Sequence, residues 1–158
     1  MLNIVWFILL FPLLGVPINA LLGRWLNRRV VAIIACLAVG ASFLVATLVL
    51  FQMLRLPAED PGGGNGRQQI IPLYSWILSG DFKVEANLLL DQLSILMALV
   101  VTGVSTLIHI YSAGYMSGDQ YEKRYFTWLN LFVFMMLILI FADNFVFMYL
   151  GWEGVGLC

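Results

Sequence analysis

Charge is what this chain has least of. Only 11% of its 158 residues are Asp, Glu, Lys or Arg, against about 25% in an ordinary soluble domain. Eight basic and nine acidic side chains leave a formal net charge of −1, with no basic stripe to track phosphates, so nucleic acid is excluded as a partner. Cysteine and histidine are nearly as scarce. Cys36 and Cys158 lie in apolar segments without CxxC spacing, and His109 is the single histidine. Neither a disulfide framework nor a metal site is indicated, and both cysteines read as buried, inert thiols. There is no nucleophilic triad and no nucleotide fingerprint. The run Gly62-Gly-Gly-Asn-Gly66 lacks the Lys-Ser/Thr ending and strand-loop-helix setting of a phosphate loop, and reads as a linker. Redox chemistry therefore cannot live in this chain unaided.

Apolar residues are what the chain does have: 62% are hydrophobic and the mean hydropathy is +0.95. That is the composition of a polytopic membrane protein. Residues 1–54 hold two spans, Met1–Leu22, interrupted by Pro12, Pro17 and Asn19, and Val30–Leu54, rich in small packing residues. A basic connection, Gly23–Arg29, separates them. With no basic residues ahead of the first apolar run and no small-x-small cleavage site, that run is an uncleaved span.

Residues 55–91 are extramembrane. A Pro- and Gly-rich linker precedes a predicted β-hairpin at about 73–88, in which Phe82, Val84, Ala86 and Leu88 alternate with Lys83, Glu85 and Asn87, and Gly80-Asp81 fits a two-residue turn. A lone hairpin is marginal in water, so it should lean on the membrane domain or on a neighbouring protein. An extended loop is the alternative.

Residues 92–158 hold a third helix from about Leu93 to Tyr111 capped by Asp91, a polar loop at 112–124, a fourth span from Tyr125 to Ala142, and a fifth helix beginning near Asn144. The sequence ends inside that apolar helix, as expected for the leading piece of a larger membrane protein. The loops at 23–29 and 112–124 carry five Lys/Arg and are expected to be cytoplasmic, placing the hairpin and Asp143 outside.

The candidate site residues follow from cost. Glu153 lies about 13 Å along the fifth helix, near the middle of a roughly 30 Å hydrocarbon core. A carboxylate there costs about 2.5–3.5 kcal/mol and ordinarily faces a bundle interior or a water path and has a partner. A proton relay needs a carboxyl that gains and loses a proton away from bulk water; the alternative is a neutral acid hydrogen-bonded to another helix. Gly151, Gly154 and Gly156 remove bulk beside it, leaving room for a helix or a water chain. Every basic residue is expected in a loop, so its partner lies outside this sequence. Asp143 either caps the fifth helix or serves proton exit. His109, near the cytoplasmic end of the third helix, either packs at the interface or titrates. Tyr111, Tyr115, Tyr125 and Trp128 fit an interfacial aromatic belt.

One family joins these pieces. Asp91-Gln-Leu-Ser94, Val104-Ser-Thr-Leu-Ile-His-Ile-Tyr-Ser112, Gly114-Tyr-Met116, Asp119, Arg124-Tyr-Phe126, Ala142-Asp-Asn144 and Gly151-Trp-Glu-Gly-Val-Gly-Leu157 together resemble the N-terminal region of the subunit L family (mitochondrial subunit 5) of proton-pumping NADH:quinone oxidoreductase, respiratory complex I. The resemblance implies an all-α, antiporter-like membrane subunit, represented here by four full transmembrane helices, a truncated fifth and one extramembrane β-hairpin. It implies that Glu153 is the fifth-helix glutamate that pairs with a lysine on the seventh helix to drive proton uptake and release. NADH, FMN, iron–sulfur clusters and quinone would sit in other subunits. The implied partners are the other membrane-arm subunits, especially the neighbouring antiporter-like one, in a bacterial inner membrane rather than a mitochondrial one. The large subunit of a multisubunit sodium/proton antiporter shares these motifs. A small membrane protein with a structural or assembly role is the remaining alternative.

Overall fold

A computed structural model of the chain describes residues 4–23, 25–55, 68–79 and 82–158, with backbone alone for 77–79 and 82. The predicted Gly80-Asp81 turn and most of the Gly-rich linker lie outside the described residues. The elements in order are α1 (Val5–Pro17) with a π-helical turn at Ile18–Leu22, α2 (Arg28–Leu54), β1 (Gln69–Ser79), β2 (Phe82–Leu90), α3 (Gln92–Tyr115), α4 (Glu122–Phe141) and α5 (Phe145–Leu157). Among these, α1 with its π turn, α2, α3 and α4 are long and apolar enough to cross a membrane. The fold class is the one expected.

α1 carries Pro12 in its interior. A proline there has no N–H for the carbonyl four residues back, which in this helix belongs to Ile8. Ser42 of α2 supplies the missing donor, its Oγ donating to the Ile8 carbonyl at 2.6 Å. Beyond Pro17 the helix widens into the π turn, the kind of local adjustment by which membrane helices accommodate proline.

The inward faces repeat with a period of seven. Ala32, Ala35, Val39, Ser42, Ala46, Val49 and Met53 are buried on α2, and Ile95, Ala98, Thr102, Ser105, His109 and Ser112 on α3. Alternating steps of three and four residues keep one seam of each helix against its neighbour. Most of these side chains are small, which allows close approach where lipid offers no hydrophobic drive. Hydroxyls on α3 bond back into their own helix, Thr102 Oγ1 to the Ala98 carbonyl at 2.6 Å and Thr106 Oγ1 to Thr102 at 2.7 Å.

β1 and β2 pair antiparallel from Gln69↔Leu90 to Ser79↔Phe82, with irregularities at Pro72/Tyr74 and Ser75/Ile77. The hairpin is thus longer than 73–88, since the bulges let pairing continue past Pro72. Val84, Ala86, Leu88 and Leu90 are buried, and the last three share one apolar cluster with Ile95, Phe141 and Phe147. The hairpin therefore closes one end of the helix bundle. Asn87, expected on its solvent side, is buried instead, because the α4–α5 corner covers that position.

α3 starts as expected, with Asp91 and Ser94 each bonding the other's backbone N–H. It runs to Tyr115, and α4 begins at Glu122, so the connecting loop is shorter than 112–124. Arg28, Arg29, Lys123 and Arg124 consequently lie in first turns of helices, which corrects the expectation that every basic residue occupies a loop. Long cationic side chains at the ends of membrane helices reach water from within the helix, so a first-turn position suits them. Lys123 Nζ also donates to the Leu26 carbonyl at 2.8 Å, tying the two basic connections together.

Candidate functional site

α5 is positioned by its cap and by two glycines. Asn144 Oδ1 accepts from Phe147 N at 2.9 Å, the usual N-cap bond. The cap role weighed for Asp143 thus falls to its neighbour, because Asn144 has the extended N-cap backbone and Asp143 is engaged elsewhere. Asp143 accepts from Asn87 Nδ2 at 3.0 Å and from Asn144 Nδ2 at 2.6 Å. Asn87 Nδ2 also reaches Glu85 Oε2 at 3.1 Å, and Asn144 Nδ2 donates to the Glu85 carbonyl at 2.6 Å. Asp143 thereby fastens the hairpin to the corner between α4 and α5.

Gly151 and Gly154 lie on the α4 side of α5. A Cβ on Gly151 would stand 2.6 Å from the Leu139 backbone nitrogen, and one on Gly154 would stand 2.5 Å from Met135 Sδ, whereas Gly156 has nothing within 4 Å. Two of the three glycines thus serve α4–α5 packing and not access to the carboxylate. Glu153 projects from another face, together with Tyr149 and Trp152, and all three are exposed. Among the described elements that face of α5 is open, because the glycine seam commits another side of the helix to α4. Tyr149 Oη donates to Glu153 Oε1 at 2.5 Å, one helical turn away. Among the described residues this phenol is the carboxylate's hydrogen-bond partner.

His109 lies on the inward seam of α3. It is fully buried, held by its Nδ1 at 2.7 Å from the Ser105 carbonyl, with the Phe126 ring centroid 6.2 Å away. The seven-residue seam of α3 carries it inward. A carbonyl can only accept, so Nδ1 bears a proton, and in a neutral ring Nε2 is then a lone-pair acceptor. The structure does not bring Glu153, Asp143 and His109 together by any hydrogen bond. Tyr149, Asn87 and Asn130 were not singled out from sequence; the four-residue step from Tyr149 to Glu153 and the lone amide of Asn130 inside an apolar span were the available signals.

Of the aromatic belt, Tyr111 and Tyr115 are exposed and stacked at 5.9 Å, while Tyr125 is half-buried and shares a 3.0 Å hydrogen bond with Ser112. Cys36 is half-buried and Cys158 is exposed, correcting the expectation of two buried thiols, since the end of α5 has no described neighbour on that side. Among the described residues no group of three His, Cys, Asp or Glu side chains is placed to hold a metal ion.

Residues 76–126 match the family model described as NADH-ubiquinone oxidoreductase (complex I), chain 5 N-terminus. NADH-quinone oxidoreductase subunit L of Escherichia coli is 40% identical over 99% of this chain and 24% of its own length. This chain is homologous to subunit L, or chain 5, of complex I. The corresponding chain 5 of Chondrus crispus is 43% identical over 95% of this chain and 21% of its own, and subunit L of Mycobacterium tuberculosis is 39% identical over 96% and 23%. The chain thus spans about a quarter of the length of the curated relatives it matches. Those relatives are named as parts of an oxidoreductase. The span carrying Glu153 lies beyond the family-model match but within the E. coli alignment, which extends over 158 residues.

Proposed function

We propose that this chain forms part of an antiporter-like membrane-arm subunit of NADH:quinone oxidoreductase, taking part in proton translocation coupled to electron transfer, with Glu153 as a proton-relay carboxylate. The observation that carries the reading is Glu153 itself, an acid on an apolar helix whose glycine seam is committed to α4 while its acidic face stays open. Such a residue is costly within a bilayer and marks an ion pathway by default. The relatives' printed names favour the respiratory complex over a stand-alone antiporter or an assembly factor.

The chemistry asked of this chain is proton holding and release. With its proton absent, Glu153 is stabilised by the Tyr149 hydroxyl; a basic group approaching the open face would favour that charged form, and its withdrawal would favour proton uptake. The resemblance supplies such a group as a lysine two helices further on. NADH, FMN, iron–sulfur clusters and quinone belong to other subunits in this reading, and the membrane is a bacterial plasma membrane. The exposed Ile70, Tyr74 and Trp76 of the hairpin form the surface offered to the neighbouring antiporter-like subunit.

The test is Glu153→Gln in the full-length subunit within the assembled complex. Assembly at wild-type subunit content, with a several-fold loss of proton pumping per NADH oxidised or of coupled turnover, is the expected result. Wild-type stoichiometry and rate would overturn the relay role.

A further inference from the structure

Three buried polar side chains stand on or against α4: Asn19 of the π turn, His109 of α3 and Asn130 of α4 itself, exposed by 2%, 0% and 0%. Asn19 Nδ2 and Oδ1, Asn130 Nδ2 and Oδ1, and His109 Nε2 are buried without a hydrogen-bond partner. Each such group costs about 1–3 kcal/mol if left unpaired, so these side chains call for a ligand.

They do not satisfy one another. The Asn130 amide is within reach of the His109 ring, yet no hydrogen bond closes in geometry. Gly15 of α1 holds Asn130 from the other side, where a Cβ would stand 2.7 Å from Nδ2. Phe126 belongs to one apolar cluster and Val133 to another, with Asn130 between them in sequence. The apolar core is thus interrupted by a polar layer at this level.

A route to water lies next to it. Asn19 lines a cavity of about 350 Å³ whose other walls are Ala20, Lys123, Arg124, Thr127 and Trp128. Lys123, Thr127 and Asn130 follow one another at helical steps along one side of α4, from the charged end inward. Thr127 Oγ1 already donates to the Lys123 carbonyl at 3.0 Å. The cavity has Lys123 and Arg124 in its wall, is larger than a single water needs, and touches Asn19 with its unused donor and acceptor, a setting in which buried water is found.

We infer that Asn19, Asn130 and His109 Nε2 form a binding site for a short file of water molecules that enters beside Lys123 and Arg124 and ends at the His109 ring. Its ligand is water, with Nε2 and the amide oxygens accepting and the amide nitrogens donating. The file gives the buried imidazole an exchangeable contact with the aqueous phase. It is separate from Glu153 and stands whether or not that carboxylate relays protons.

Deuterium exchange at the imidazole C2 position of His109, followed by mass spectrometry on the intact assembly purified from membranes, tests this. Exchange should be readily measured despite complete burial. It should slow several-fold in Asn19→Leu, which fills the entry with apolar volume and is not hydrogen-bonded to the ring. If Asn19→Leu fails to assemble, Thr127→Leu, on the opposite wall and with its hydroxyl bonded only to its own helix, should give the same slowing. Exchange below detection in the native protein, or unchanged in the assembled variant, would overturn the inference. A density map resolving water should show it within hydrogen-bond distance of Asn130 and Nε2; direct amide-to-ring bonding without such water would overturn it equally.

Discussion

The Ser42 hydroxyl donates to the Ile8 carbonyl, the acceptor that Pro12 leaves without its backbone partner. Two sequence features in different helices are thereby one structural unit. Removing the hydroxyl alone leaves a carbonyl unpaired in a medium without water. Ser42→Ala should lower stability by about 1 kcal/mol, the scale of interhelical hydrogen bonds in membranes. In a Pro12→Ala background, where the helix regains its own N–H, the same substitution should cost little. Unfolding of the detergent-solubilised protein in a double-mutant cycle measures the coupling.

The three glycines around Glu153 predict a graded series. Gly151→Ala drives a methyl into the Leu139 backbone, which cannot yield, and should cost about 1–3 kcal/mol by overpacking. Gly154→Ala meets the flexible Met135 side chain and should cost less. Gly156→Ala meets nothing within 4 Å and should be neutral or stabilising by up to about 1 kcal/mol through helix propensity. Thermal stability should be lowest for the first variant and highest for the last.

Tyr149→Phe removes the donor to Glu153 while keeping the ring, which packs 5.9 Å from Trp152. If Glu153 relays protons, the anion loses a stabilising hydrogen bond. Coupled proton pumping should fall. In a Glu153→Gln background, Tyr149→Phe should have no further effect. Steady-state pumping measured in both backgrounds checks this.

Asn144 carries three bonds at once: the α5 cap, the Glu85 carbonyl and Asp143. Asn144→Ala should cost about 1–2 kcal/mol, the upper range for loss of an N-cap. Asn144→Asp keeps the cap acceptor but removes the donor and adds a negative charge between Asp143 and Glu85, so it should rescue little. Limited proteolysis of the hairpin and thermal unfolding distinguish the two effects.

How much of this was legible in sequence depends on local chemistry. Asp91 as a helix start, the alternation in β2 and the four spans were readable because each rests on a pattern within a few residues. The identity of the fifth-helix cap was not, since Asp143 and Asn144 both suit the role and the choice turns on Asn87, distant in sequence. Burial within the spans was obscured for another reason. Lipid is as apolar as a protein core, so Leu96 and Leu107 on the outer side of α3 look no different from Ile95 inside it. The inner seam is marked instead by what is small or polar, from Ser94 and Ala98 through Ser105 to His109. His109 and Asn130 were visible as lone polar residues, but that they and Asn19 would be buried without partners required the tertiary packing.

Tyr149 and Glu153 stand on one helix, one turn apart, and their bond involves no other element. α5 can therefore tilt, slide or rotate against α4 as a rigid cartridge without disturbing it. The acid carries its nearest donor with it. In the proposed relay, timing then has to be imposed from across the open face, by whatever group comes near it or withdraws.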